Sequence, residues 1–322
     1  PPSPPAAPPP PAWPPAAETA VHPPGAAPET TPYLPHLPQP TAPPPLPDPV
    51  TPEPPGQVPV AEAYGIRFLG GLDDIDRLVT EVRRRGKWAQ RLRGQEVSSA
   101  SMPALLLIGE PSTGQRRLGR MVARALADVQ VSSGQLRGVL AEELRPRGPE
   151  GLRAVLAEHA GHALLLEGLD VLLLDDPQGP AYATVLYRAR AEGVSDTALL
   201  ATCEPGRFAA LSAAAPEVIT DMRAVRMPDL SDPGTRTALL ALLAEERRLR
   251  LDADAWEVVR RDIATLRGRG RLTNARLVEA YLDRACTRNL GRAAETQAIG
   301  SAAELTLTGA DFRGLAAELS PP

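Results

Sequence analysis

Residues 104–108 read Ala-Leu-Leu-Leu-Ile and run directly into Gly109. A strand of that composition has no polar face to offer to water, so both faces must be covered, as in a central strand of a helix-flanked parallel sheet. A helix is predicted at 118–128, which gives the order strand, glycine loop, helix. The alternation continues with a helix at 151–158, a strand at 163–166, a helix at 181–192 and a strand at 198–201. Repeated units of this kind imply an α/β fold with a parallel sheet. Upstream, Leu72, Ile75, Leu78, Val79 and Val82 recur at the spacing of one helical face over 72–93, with Leu72-Asp73-Asp74 as its capped start.

After Pro228 the pattern becomes helical throughout, at 233–248, 253–266, 273–290 and 309–318. Three segments are therefore expected: a disordered Pro-rich linker at 1–60, an α/β core at 61–228 and a small all-helical domain at 229–322. Aromatic residues make up only 3% of the chain, so the cores must be built from Leu, Val and Ala.

The linker holds 26 of the 38 prolines and neither Lys nor Arg. It is too poor in large apolar side chains to offset the entropy of ordering, and polyproline II and coil are expected. PxxP spacings such as Pro32 to Pro35 suit aromatic-lined grooves, although a spacer is the commoner use of such a segment. The Pro-Pro start without an initiator Met points to a piece of a longer protein. All 35 basic residues and 35 of the 39 acidic ones fall in the remainder, a balance that does not call for nucleic acid. No apolar run reaches the roughly 18 residues of a membrane span, so no membrane insertion is expected. Cys203 and Cys286 form neither a disulfide framework nor a zinc pattern, which favours a reducing, cytoplasmic setting.

The candidate chemistry lies in Gly109-Glu110-Pro111-Ser112-Thr113-Gly114-Gln115-Arg116. A phosphate loop between strand and helix needs glycines so that amides face the phosphates, a Lys for the outer phosphates and a Ser or Thr hydroxyl for magnesium. Two glycines five apart also serve in ordinary turns; the preceding strand, the following helix and a second apolar strand ending in Glu167 favour the phosphate loop. Gln115 occupies the Lys position and Arg116 the hydroxyl position, and the only lysine of the chain is Lys87. Arg116 and Arg117 offer positive charge at a helix start, where anions are favoured, but such side chains are more often a solvated face.

The span 65–318 resembles the AAA+ ATPases of the CbxX/CfxQ family, which includes red-type rubisco activase and the AAA+ component of type VII secretion. That family's loop reads like GNPGTGKT, so Gly109, Pro111, Thr113 and Gly114 match while Gln115 and Arg116 depart, leaving a degenerate Walker A motif. The family's second acidic motif ends a strand in Asp-Glu; Glu167 stands at the Asp position and Gly168 at the Glu position, so the resemblance leaves Glu167 as a residual Walker B acid without a general base. The inter-subunit arginine string corresponds to Ala215-Pro216-Glu217-Val218-Ile219-Thr220-Asp221-Met222, with both arginines replaced, by Ile219 and Asp221. One arginine finger is worth about 10³–10⁵ in turnover. The central-pore aromatic falls at Glu143-Leu144-Arg145, which argues against threading. Leu272-Thr273-Asn274-Ala275-Arg276 keeps the second-sensor pattern, and Arg276 is the matching arginine that would meet an outer phosphate from the helical lid.

The resemblance thus implies a P-loop AAA+ core with a helical lid, and two functional readings. One is a pseudo-ATPase acting as scaffold or regulatory subunit on protein partners, including other AAA+ subunits in a ring. The other is a weakly active, partner-activated ATPase that binds ATP, with magnesium only where ATP binds, and remodels a protein complex. Elsewhere, His159 and His162 are too few for a metal site, Asp175-Asp176 marks a turn before Pro177, and Glu245-Glu246 with Arg247, Arg248 and Arg250 reads as a solvated helix end.

Overall fold

The structure, a computed structural model, describes residues 60–69, 75–92, 102–191, 197–268, 270, 272–295 and 305–320, all within one unit spanning Pro54–Pro322. The Pro-rich linker with its PxxP spacings and the helix start at Leu72-Asp73-Asp74 lie outside the described residues.

Strands β1 (Val60–Ala63) and β2 (Ile66–Leu69) form an antiparallel hairpin that precedes α1 (Ile75–Leu92). The core then runs β3 (Ala104–Ile108), α2 (Gln115–Asp128), β4 (Leu136–Leu140), α3 (Ala141–Leu144), α4 (Gly148–Glu158), β5 (Ala163–Glu167), α5 (Leu169–Leu174), α6 (Gly179–Ala191), β6 (Ala198–Cys203), α7 (Phe208–Ala214), α8 (Pro216–Ile219) and β7 (Arg223–Arg226). The strands make one parallel sheet in the order β4-β5-β6-β3-β7.

The apolar runs are explained by this sheet. Leu106, Leu164 and Ala201 point into one core with Leu144, Leu152, Tyr182 and Leu186, whereas Leu105, Leu107, Leu165 and Leu200 point into another with Leu78, Val82, Leu118 and Leu126. Each central strand is buried on both faces, which is why it carries no alternation. The edge strands β4 and β7, with sequences LRGVL and RAVR, have exposed polar positions and no continuous apolar run. They are absent from the sequence reading for that reason.

The C-terminal part packs α9 (Pro233–Glu246), α10 (Ala253–Thr265) and α11 (Asn274–Glu295) around Leu240, Val259, Tyr281 and Phe312, a core that also takes Leu69 from β2. Asp232 and Asp252 cap α9 and α10 by accepting the N–H groups of Thr235 and Ala255 at 2.7 Å each. Two expectations are corrected here. The segment is not purely helical, because β8 (Arg250–Leu251) pairs in parallel with β9 (Thr306–Leu307). The helix expected at 309–318 is two, α12 (Gly309–Phe312) and α13 (Leu315–Leu319), separated at Gly314, whose φ of 79° breaks helical continuation.

Candidate functional site

From β3 the chain crosses to the β4 edge, and from β6 it passes to β7 on the other side of β3. The neighbouring strands β3 and β6 therefore send their connections in opposite directions, and the crevice at their carboxyl ends is the switch point at which open α/β sheets bind ligands. Residues 109–114 lie there, with Gly109 N–H bonded to Cys203 O at 3.0 Å. A Cβ at Gly109 would stand 2.5 Å from Met227 Cβ, so this position excludes any side chain. Gly114 has φ 107°, and Ser112 also takes a left-handed φ, of 63°. The sharp loop is thus set by backbone geometry and by the close approach of Met227.

Gln115 folds back into this loop. Its Oε1 accepts the Thr113 N–H at 3.0 Å, and its Nε2 donates to Glu110 O at 2.7 Å and to Thr113 Oγ1 at 2.9 Å. Thr113 Oγ1 in turn donates to Glu110 O at 2.8 Å. Both side chains are buried. The carboxamide ties the two sides of the loop together and takes an amide of the kind that a phosphate loop turns toward its ligand.

One residue on, Arg116 reaches the end of β5. Its Nε and Nη2 lie 2.9 and 2.7 Å from Glu167 Oε1. A guanidinium therefore sits against the carboxylate at the position that the resemblance gives to a magnesium shell. These residues do not fit a magnesium ion: the hydroxyl ligand is replaced by a cation, and that cation holds Glu167. Gly168, at the position that the resemblance gives to a general base, offers no side chain, and its N–H donates to Thr202 Oγ1 at 2.8 Å. A groove of about 370 Å³ between α2 and β4 is lined by Arg116, Arg120, Gln135, Leu136, Gly138 and Leu165.

The helical segment closes on the loop through main-chain acceptors. Asn274 Nδ2 donates to Pro111 O at 2.8 Å, and Ala275 N–H donates to Ser112 O at 3.1 Å. Asn274 adopts φ 50°, a left-handed conformation that Asn tolerates better than most residues. The resemblance gives Arg276 an outer-phosphate contact; the two residues before it meet the loop, and the exposed Arg276 side chain has no hydrogen-bond or ionic partner among the described residues. The Asn-Ala-Arg string marks the place, but no sequence signal distinguishes the contact residue from its neighbour.

Arg117 and Glu246, both expected on solvated faces, are paired at 2.7 Å, and Arg117 Nη1 also donates to Arg67 O at 3.1 Å. Arg67 pairs with Glu245 at 2.7 Å. Two ion pairs thus join the core to the end of α9. Arg247, also expected to be solvated, meets Asp283 of α11.

Asp221, at one of the two positions to which the resemblance assigns inter-subunit arginines, receives a hydrogen bond at 2.5 Å from Arg190 of α6, which is only 7% exposed. Burial draws the Arg190 pKa down while Asp221 opposes that shift. Ile219 packs against the adjoining apolar core. In the stretch that the resemblance gives to a pore aromatic, Leu144 is fully buried at the end of α3, so it projects no side chain outward.

Cys203 ends β6 beside the loop, and burial pushes its thiol up to about 12. Asp175 and Asp176 do form the expected turn, with Asp176 Oδ1 accepting Gln178 N–H at 2.8 Å. They also meet arginines: Arg207 binds Asp175 through two nitrogens, holding that carboxyl below its ordinary range, and Arg145 lies 3.6 Å from Asp176. His159 and His162 have ring centroids 6.4 Å apart, and His162 Nδ1 is 2.5 Å from Ser133 Oγ. No cluster of three or more metal-ligating side chains occurs among the described residues.

Sheet order, glycine loop at the switch point and helical cap over that loop define an α/β P-loop core of the AAA+ type followed by its lid. Residues 237–320 match the AAA lid domain family. Among solved structures the chain is similar to the FIGL-1 AAA domain in complex with ADP, at 17% identity, covering 78% of this chain and 82% of that one with a TM-score of 0.49. A katanin structure concerned with self-assembly gives 17% identity, 78% and 83% coverage and a TM-score of 0.45. A second FIGL-1 AAA domain structure gives 16%, 78%, 82% and 0.46. No curated protein matches the sequence. No helix among the described residues is long and apolar enough to cross a membrane.

Proposed function

We propose that this chain is a pseudo-ATPase: an AAA+ module of the CbxX/CfxQ kind that acts as a scaffold or regulatory subunit through protein contacts, without turning over ATP. The observation that carries this reading is the Arg116–Glu167 ion pair, with nitrogens at 2.7 and 2.9 Å from one carboxylate oxygen. It puts a fixed cation where catalysis requires an exchangeable one, and Gln115 consumes a loop amide alongside it. In this reading residues 61–228 are the core, 229–322 the lid and 1–60 a linker, the setting is cytoplasmic, and the partners are proteins, including other AAA+ subunits in a ring.

The experiment is a calorimetric titration of the chain with ATP and magnesium, together with a phosphate-release assay. Neither magnesium-dependent heat nor hydrolysis is expected. Turnover comparable to that of a working AAA+ enzyme would overturn the proposal.

A second reading, weak ATP binding with partner-supplied activation, draws on the contacts of Asn274 and Ala275 with the loop, which bring the helix bearing Arg276 to its rim. It requires ATP heat that disappears in Arg276→Ala and Gly114→Asp.

A further inference from the structure

The 18-residue helix α1 has two contrasting faces. Ile75, Leu78, Val82 and Ala89 are buried against the core. On the opposite side Arg84, Lys87, Trp88 and Arg91 are all exposed. Their positions i, i+3, i+4 and i+7 place them on one stripe about 10 Å long. Trp88, at 59% exposure, is the most exposed large apolar side chain among the described residues.

The nearby carboxylates are already committed elsewhere. Asp128 pairs with Arg83 at 2.8 Å, and Glu81 pairs with Arg223 of β7. Arg84, Lys87 and Arg91 have no ionic partner among the described residues. Three cations without an ionic partner among the described residues thus surround one exposed indole, although the whole chain carries a net charge of −4. Trp and Arg are the residues enriched in the energetic centres of protein interfaces, where a flat apolar surface and fixed charge act together.

We infer that this face of α1 docks an acidic segment of a protein partner, with carboxylates on Arg84, Lys87 and Arg91 and an apolar side chain on Trp88. Charge complementarity selects an anionic occupant. A nucleic-acid strand is disfavoured because single-strand sites stack successive bases on several aromatics, and this stripe has one. A lipid surface is disfavoured because the apolar face of α1 is spent in the core, leaving only Trp88 to insert. The inference rests on the protein-contact reading but involves no nucleotide, so ATP turnover would sink the silent-site proposal and leave peptide capture untouched.

Lys87 is the only lysine in the chain and provides a selective test. The whole chain is incubated with an N-acetylated peptide of glutamates interleaved with leucines, and a water-soluble carbodiimide is added. The reagent takes up a proton and activates a peptide carboxylate as an O-acylisourea; the Lys87 Nζ, having given its proton to buffer, attacks the acyl carbon, an amide forms and the urea leaves. Arginine does not undergo this coupling. Mass spectrometry is expected to find the amide at Lys87, with capture reduced roughly tenfold or more in Trp88→Ala and in Arg84→Glu, and weakened by salt. All are surface changes, and circular dichroism verifies folding. Absence of the Lys87 amide, coupling that both variants leave unchanged, or tighter binding of an oligo-dT strand or phosphatidylserine vesicles than of the peptide overturns the inference.

Discussion

The guanidinium of Arg116 rests on the carboxylate of Glu167, two nitrogens converging on Oε1 at 2.9 and 2.7 Å. The residues are 51 positions apart in the chain and meet only because β3 and β5 share a sheet in which β6 lies between them. The pair is half-exposed, with side chains 56% and 27% accessible. Its contribution to stability is accordingly small. Its consequence is chemical: Glu167 already carries a cation.

Converting Gln115→Lys and Arg116→Thr together should release Thr113 N–H and Glu167 and supply the missing ammonium and hydroxyl. The double variant is expected to gain magnesium-dependent ATP binding, read as a thermal shift; at ATP 100-fold above its Kd the stabilisation is about 2.7 kcal/mol. Neither single change suffices, because each leaves one obstruction in place. A double variant with no shift would show that the rest of the site is also unable to hold nucleotide.

Asn274→Ala removes the bond to Pro111 O and leaves Ala at φ 50°. Losing the bond costs about 1 kcal/mol, and Ala tolerates the left-handed conformation less well than Asn, which adds to that cost. The expected readout is faster hydrogen exchange at the Ala275 amide, which donates to Ser112 O. Asn274→Gly should recover the conformational part alone. Unchanged protection in the Ala variant would mean that the lid is held elsewhere, by Arg117–Glu246 and Arg67–Glu245.

Asp221→Ala leaves the buried Arg190 guanidinium without this carboxylate. A loss of about 1–3 kcal/mol is expected from urea denaturation, below the value for a fully buried pair because Asp221 faces solvent on one side. Asp221→Arg should cost more, since it sets a cation against Arg190. Equal stability in the two variants would count against a structural role for the pair.

The raised pKa of Cys203, about 12, makes the folded protein hold a proton that the unfolded chain releases near pH 8.5–9. Its contribution to stability is therefore fully present below about pH 8.5 and is lost as pH rises toward 12. A shift of about three units lowers the thiolate fraction near pH 8 by about 10³-fold. Native Cys203 should react with a disulfide reagent that much more slowly than the denatured chain, and rapid native labelling at that residue would contradict its burial.

The central strands were legible because a strand covered on both faces is apolar along its buried run, and residues 104–108, 163–166 and 198–201 meet that condition. The edge strands β4 and β7 were not, since they have fewer neighbours and admit Arg and Gly. The pairing of Arg117 with Glu246 was equally hidden: each looks solvated in isolation, and nothing in local sequence measures the distance between residues 129 positions apart.

The sequence alone determined the strand, loop and helix order, the glycine loop 109–114 with Gln115 and Arg116 after it, and Glu167 at the end of an apolar strand, because these depend on residue type and spacing. The tertiary structure decided what fills those positions. That Gln115 turns inward to Thr113 and Glu110, that Arg116 reaches Glu167, and that Asn274 meets the loop depend on side-chain direction and on contacts between distant segments. Only the packed chain fixes those.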